Sequence, residues 1–242
     1  MLCIVALDTI HVIRHSQPLS RHKRKQLATF LDFQAWTNAA WDRKPLCVSE
    51  YQALQHRLET AGLGSWIIEY LTRLRELETR RPSVGGDRRH FNDVRSYREA
   101  VVRLSLATIA GIAMNATCLD EGIRATHGDR DITTLFRIAM QCQIIDDVVD
   151  YRKDLGAGLP SFLTASTSLS QALALTVAAS RSYASGESGG AAFLGVSEVE
   201  GRRPERSESD DLFPLRVGLY VVSAATTIVA GVARTLHGVG MR

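Results

Sequence analysis

Residues 143–154 read Gln143-Ile-Ile-Asp146-Asp147-Val-Val-Asp150-Tyr-Arg-Lys-Asp154. Ile144, Ile145, Val148 and Val149 recur at helical spacing, which predicts a helix from Asp129 or Asp131 to about Asp154. Gly156, Gly158 and Pro160 supply the stop. At about 100° per residue, Asp147, Asp150 and Asp154 fall within about 60° of one another, with Gln143 in the same arc. Asp146 lies one turn before Asp150 and points about 40° away from it. Like charges at this spacing disfavour a helix, and partial burial raises that cost. A positive partner is therefore expected opposite. A hard divalent cation such as Mg²⁺ chooses carboxylate oxygen and keeps water and phosphate ligands. The same acids also read as a solvated helix end, with Lys153 pairing to Asp150 and Arg152 in solvent.

Helical spacing extends in both directions from this run, and no alternating strand pattern bounded by tight-turn residues occurs. An opening helix is predicted over residues 2–15. A second, capped by Ser20, runs to about Asp42 with Leu27, Phe30, Leu31, Phe33 and Trp36 on its apolar side. Ser49 and Gln52 have the form of a capping box for a third helix ending at Gly62. A fourth is expected over 65–80, a basic loop over 82–90, a long helix over 93–115 and a short one over 118–125. An alanine-rich helix over 169–184 precedes the polar, glycine-rich stretch 185–211, which reads as a flexible loop or lid. An apolar helix starting near Leu212 closes the chain. The expectation is an all-α protein with one helical domain over 1–242.

Composition narrows the function. The chain has 242 residues, 45% hydrophobic and 23% charged, with 18 glycines and 6 prolines, which suits a packed globular domain and excludes disorder throughout. A formal charge of +3 does not make the whole chain a nucleic-acid binder. The basic cluster Arg21, His22, Lys23, Arg24 and Lys25 reads as a solvated helix start or a contact to anionic lipid or nucleic acid, and its lack of neighbouring aromatics argues against base stacking. Cys3, Cys47, Cys118 and Cys142 show no zinc-like spacing, and reduced thiols in a cytoplasm are expected. Val217 to Ala233 carries no charge between Arg216 and Arg234. That stretch is a buried core helix or a membrane contact, at the lower edge of the length a span needs. No HExxH, P-loop or GxGxxG pattern is present.

Gln143-x-x-Asp146-Asp147-x-x-Asp150-x-x-x-Asp154, followed by glycines, resembles the second aspartate-rich motif of trans-prenyl diphosphate synthases, in the class I isoprenoid synthase superfamily. Val101 to Met114 is similar to the family's central helix, with Arg103 and Ser105 near the place of its diphosphate-contacting Lys-Thr pair. Leu7-Asp8-Thr9-Ile10-His11 lies at about the distance of the first aspartate-rich motif. The resemblance covers residues 1 to about 165. It departs from the family where Asp8 is the sole acid of the first motif and where Gly156 to Pro160 replaces a lysine after the second. The family's helices ahead of the first motif have no counterpart, so an N-terminally shortened bundle is expected. These departures point away from a chain-elongating synthase and toward a terpene or squalene/phytoene synthase relative. Asn92, Ser96 and Glu99 faintly resemble the Asn/Ser/Glu metal site of terpene synthases, with the acid one residue early. Asn92 and Ser96 also read as helix caps.

The resemblance implies an isoprenoid synthase-type bundle with a central cavity, in which Mg²⁺ bridges the acids to the diphosphate of a prenyl substrate. Asp146, Asp150 and Asp154 would hold the metal, with Asp8 on its second side. Asp146, Asp147, Asp150 and Arg103 would serve catalysis, and Gln143, Arg98, Arg103, Ser105 and Lys153 would contact substrate. Trp36, Trp41 and Trp66 would line an aromatic cavity or pack the core. Two other readings remain. One is a non-catalytic relative acting as a binding or regulatory subunit, in a homodimer or beside a larger synthase. The other is a membrane-associated helical protein using Val217 to Ala233 and the basic cluster at 21–25.

Overall fold

The computed structural model describes residues 2–41, 48–186 and 213–239. Ten helices and no strand occur among the described residues: α1 (Leu2–His15), α2 (Arg21–Trp41), α3 (Val48–Thr60), α4 (Gly64–Glu78), α5 (Arg88–Ala113), α6 (Leu119–Thr126), α7 (Arg130–Val149), α8 (Tyr151–Ala157), α9 (Leu169–Ser185) and α10 (Phe213–Val239). The all-α expectation is met. Of the stretch 185–211, residues 187–211 lie outside the described residues.

The chain forms two compact units, one of residues 1–79 and 103–132, the other of residues 80–102 and 133–242. In the first, the apolar side of α2 is buried as its spacing predicts: Leu27, Phe30 and Phe33 are all buried. The Phe30 ring meets Tyr70 of α4 edge-on at 5.2 Å. Burial pushes the Tyr70 phenol above its ordinary pKa, with the neighbouring Ser105 and Gln34 side chains opposing the rise. Trp66 packs into the crossing of α5 and α6. A Cβ on Gly111 would stand 2.8 Å from that ring and 3.0 Å from the Gly122 backbone, so two glycines are what let these helices approach. Trp66 is thus a core residue, and Trp36 stacks near Tyr51 with ring centroids 5.0 Å apart. The Trp41 side chain lies outside the described residues.

Helix ends follow local chemistry. The Ser20 hydroxyl accepts from the Lys23 amide at 3.2 Å, as expected of a cap. Lys23 is not a solvated cation: its ammonium is half-buried and donates to the Ile112 carbonyl at 2.7 Å, at the C-terminal end of α5 where carbonyls are left over. Asp129 accepts from the amides of Asp131 and Ile132 at 3.0 and 3.1 Å and so caps α7. Arg14 clamps both Asp129 and Asp131. Burial alone would raise the Asp129 carboxyl, but Arg14 and the two amides outweigh it and hold the group below the usual carboxylate range.

Several predicted boundaries are corrected. α3 begins at Val48, so Ser49 stands inside its first turn and not ahead of it. α5 begins at Arg88, five residues earlier than predicted, which places Asn92 and Ser96 within the helix and not at its caps. Asp87 has the capping role, accepting from the His90 amide at 3.0 Å. The basic loop is correspondingly shorter. The helix predicted through Asp154 divides at Asp150, whose φ of −89° and ψ of 6° leave the helical region. Gly158, at φ 66°, ends α8 in the left-handed conformation.

Candidate functional site

The acid run lies in the second unit at the junction of α7 and α8. Backbone bonding continues across the junction: the Asp150 amide donates to the Asp146 carbonyl at 2.8 Å, and the Asp154 amide to the Asp150 carbonyl at 2.9 Å. The acids therefore keep helical spacing despite the break. They do not share one environment. Asp147 is 1% exposed, Asp150 and Asp154 are half-buried, and Asp146 is exposed.

Asp147 is the anchor of this region. One of its oxygens takes the Arg98 guanidinium of α5, and the other accepts the Phe162 amide at 2.7 Å. It thereby joins α5, α7 and the buried segment 160–166. Ser161 and Thr164 close that segment locally, the Ser161 amide donating to the Thr164 hydroxyl at 2.7 Å. Gly85 donates to the Thr164 carbonyl at 2.7 Å, and the Phe162 ring packs 5.8 Å from Phe91. Burial pushes the Asp147 carboxyl up to about 6, against the pull of Arg98 and the Phe162 amide; Asp154 and Asp146 add to the rise. The arc of Asp147, Asp150 and Asp154 keeps its helical spacing, but its members differ in exposure, Asp147 being the buried one.

Asp154 is also held above its ordinary range, first by burial and then by Asp150, with Arg98, Lys153 and the Ser161 hydroxyl opposing. Lys153 pairs with Asp150, and Arg152 is exposed, as the solvated-end reading expects. Gln143 is half-buried. Among the described residues, no three His, Cys, Asp or Glu side chains are grouped so as to hold a metal ion. Asp146 and Asp150 stand one turn apart, Asp146 exposed and Asp150 paired with Lys153.

The remaining predicted site residues belong to the first unit. Asp8 accepts the Leu19 amide at 2.7 Å and lies 4.0 Å from Arg24, so it fastens the chain entering α2. Arg103 and Ser105 are half-buried on α5, and Ser105 neighbours the Tyr70 phenol. Cys118 and Cys142 are free thiols.

Sequence reasoning missed a second polar centre in the second unit. Glu99 is buried. It accepts from the Tyr183 hydroxyl at 2.6 Å and from Arg95 at 2.9 Å. Arg95 also reaches Ser182 at 2.9 Å, and its guanidinium lies 4.7 Å over the Tyr183 ring. Burial, with Glu99 adding, pushes the Tyr183 phenol well above its ordinary range. The acid of the Asn92, Ser96, Glu99 pattern is thus already engaged, while Asn92 and Ser96 are exposed. The available signal was the Arg95–Glu99 spacing; its partner, 84 residues onward, had none.

No protein-family model matches the chain, and neither the curated proteins nor the solved structures give a match. α10 is long and apolar enough to cross a membrane by length and composition.

Proposed function

We propose that the chain is a Mg²⁺-dependent enzyme of the class I isoprenoid synthase type that ionises an allylic prenyl diphosphate, for prenyl transfer or cyclisation. The observation that carries this reading is the surplus of negative charge at the α7–α8 junction. Four carboxylates stand there with Arg98 and Lys153 as ion-pair partners, and Asp147 and Asp154 are both held above the ordinary carboxylate range. Asp146, the exposed acid, and Asp150 would hold the metal, with Asp154 one turn further on. When bound, Mg²⁺ would offset the charge of the departing diphosphate. Arg98 sets the position of α7 through Asp147, and Lys153 adds positive charge beside Asp150.

A second reading draws on one specific observation: Asp147 and Asp8 are both engaged by backbone amides, Phe162 and Leu19 respectively. Acids used in this way suit a non-catalytic helical subunit that binds a larger synthase or a second copy. Incubation with geranyl, farnesyl and geranylgeranyl diphosphates, with and without Mg²⁺, separates the two. The enzyme reading expects Mg²⁺-dependent pyrophosphate release that Asp146→Ala with Asp150→Ala abolishes. Release that persists in that double variant removes the proposed mechanism. No release from any of the three supports the subunit reading.

A further inference from the structure

α10 is held to the second unit by a narrow stripe. Leu215, Leu219, Thr226 and Ala230 are buried, at spacings that keep them on one side of the helix. Polar bonds fasten this stripe: the Gln141 amide of α7 donates to Ser223 of α10 at 3.2 Å and to the Ser180 carbonyl of α9 at 2.8 Å. The Thr226 hydroxyl reaches the Gln141 carbonyl at 3.4 Å. The outer face is of another kind. Phe213, Val217, Tyr220, Val221, Ile228 and Val232 are between 45% and 77% exposed. Isolated exposed apolar side chains are ordinary, but a continuous uncharged face on one helix marks a contact surface. The α10 sequence contains Arg216 and Arg234 and no Asp or Glu, and Arg216 is exposed.

We propose that the outer face of α10 docks the protein onto an anionic lipid bilayer, the helix lying in the plane of the interface. Its apolar side chains enter the boundary between headgroups and acyl chains, and Arg216 stays at the level of the lipid phosphates. Length alone would permit Leu215–Ala233 to cross a membrane. Crossing would carry the Gln141, Ser180 and Ser223 groups into hydrocarbon or break their bonds, which lying in the plane avoids. Charge favours lipid over a second copy of the helix. A facing α10 brings no carboxylate to Arg216, whereas an anionic headgroup does. This inference does not rest on the acid run.

The test is flotation of the full chain with phosphatidylcholine vesicles, with and without phosphatidylglycerol. The protein is expected to float with the anionic vesicles and to do so less as salt rises. Val221→Asp with Ile228→Asp, both at exposed positions, should reduce flotation at least about tenfold without changing the melting curve. Arg216→Gln should reduce it about fivefold. The proposal is overturned if the wild-type protein ignores both vesicle types, or if the double variant floats like the wild type. It is equally overturned if sedimentation equilibrium without vesicles shows a dimer that the same two substitutions dissolve, since the face is then a contact between copies.

Discussion

Replacing Arg98 with Met should destabilise the protein by about 3 kcal/mol at pH 8, because it leaves the Asp147 carboxylate buried without its cation. The loss should be smaller at pH 5. In the wild type the Asp147 carboxyl is raised from 3.8 to about 6. Between these values the native state holds a proton that the unfolded chain releases, so this group's contribution falls as pH climbs toward 6 and levels off above it. Without Arg98 the native carboxyl moves higher still, and the decline continues past 6. The deficit of the variant therefore opens above pH 6. Urea unfolding of both proteins from pH 5 to pH 8 measures it; a deficit that does not vary with pH would show that Arg98 acts through packing and not through the charge on Asp147. Adding Asp147→Leu should recover part of the loss, not all, since the Phe162 amide also loses its acceptor.

Glu99→Ala should cost about 3 kcal/mol, by leaving a partly buried guanidinium and a buried phenol without their shared acceptor. Glu99→Gln keeps an acceptor oxygen and should cost about 1 kcal/mol. The difference separates the hydrogen bond to Tyr183 from the charge on Arg95. Loss of near-ultraviolet signal from Tyr183 should accompany the alanine variant. Equal stability of the two variants would mean that Arg95 and Tyr183 find other partners at no cost.

What was legible in the sequence was periodic or punctuated. Leu27, Phe30 and Phe33 repeat at helical spacing and are buried as read. Ser20, Asp129 and Gly158 mark helix ends by side-chain or backbone chemistry that acts within a few residues. The break at Asp150 escaped because one residue leaves the helical region while the hydrogen bonds on either side persist. Asp147 was grouped with the acids beside it because spacing gives direction around a helix but not what lies opposite. Its partners, Arg98 and the Phe162 amide, are 49 residues before it and 15 residues after it. Tertiary pairing of that kind also hid Glu99 and recast Lys23, whose cluster reads as solvated until the Ile112 carbonyl is placed beside it. The segment 160–166 carried an unread signal in Ser161 and Thr164, three residues apart and bonded to each other.

Isothermal titration of Mg²⁺ into the full chain, in the presence of inorganic pyrophosphate, decides whether the proposed site at the junction of α7 and α8 takes a divalent cation together with a phosphate-bearing anion. Beyond the heat of Mg²⁺ binding to pyrophosphate without protein, a saturable heat is expected for the wild type, lost in Asp146→Ala with Asp150→Ala. The same heat in both proteins, or none in the wild type, would contradict the proposal.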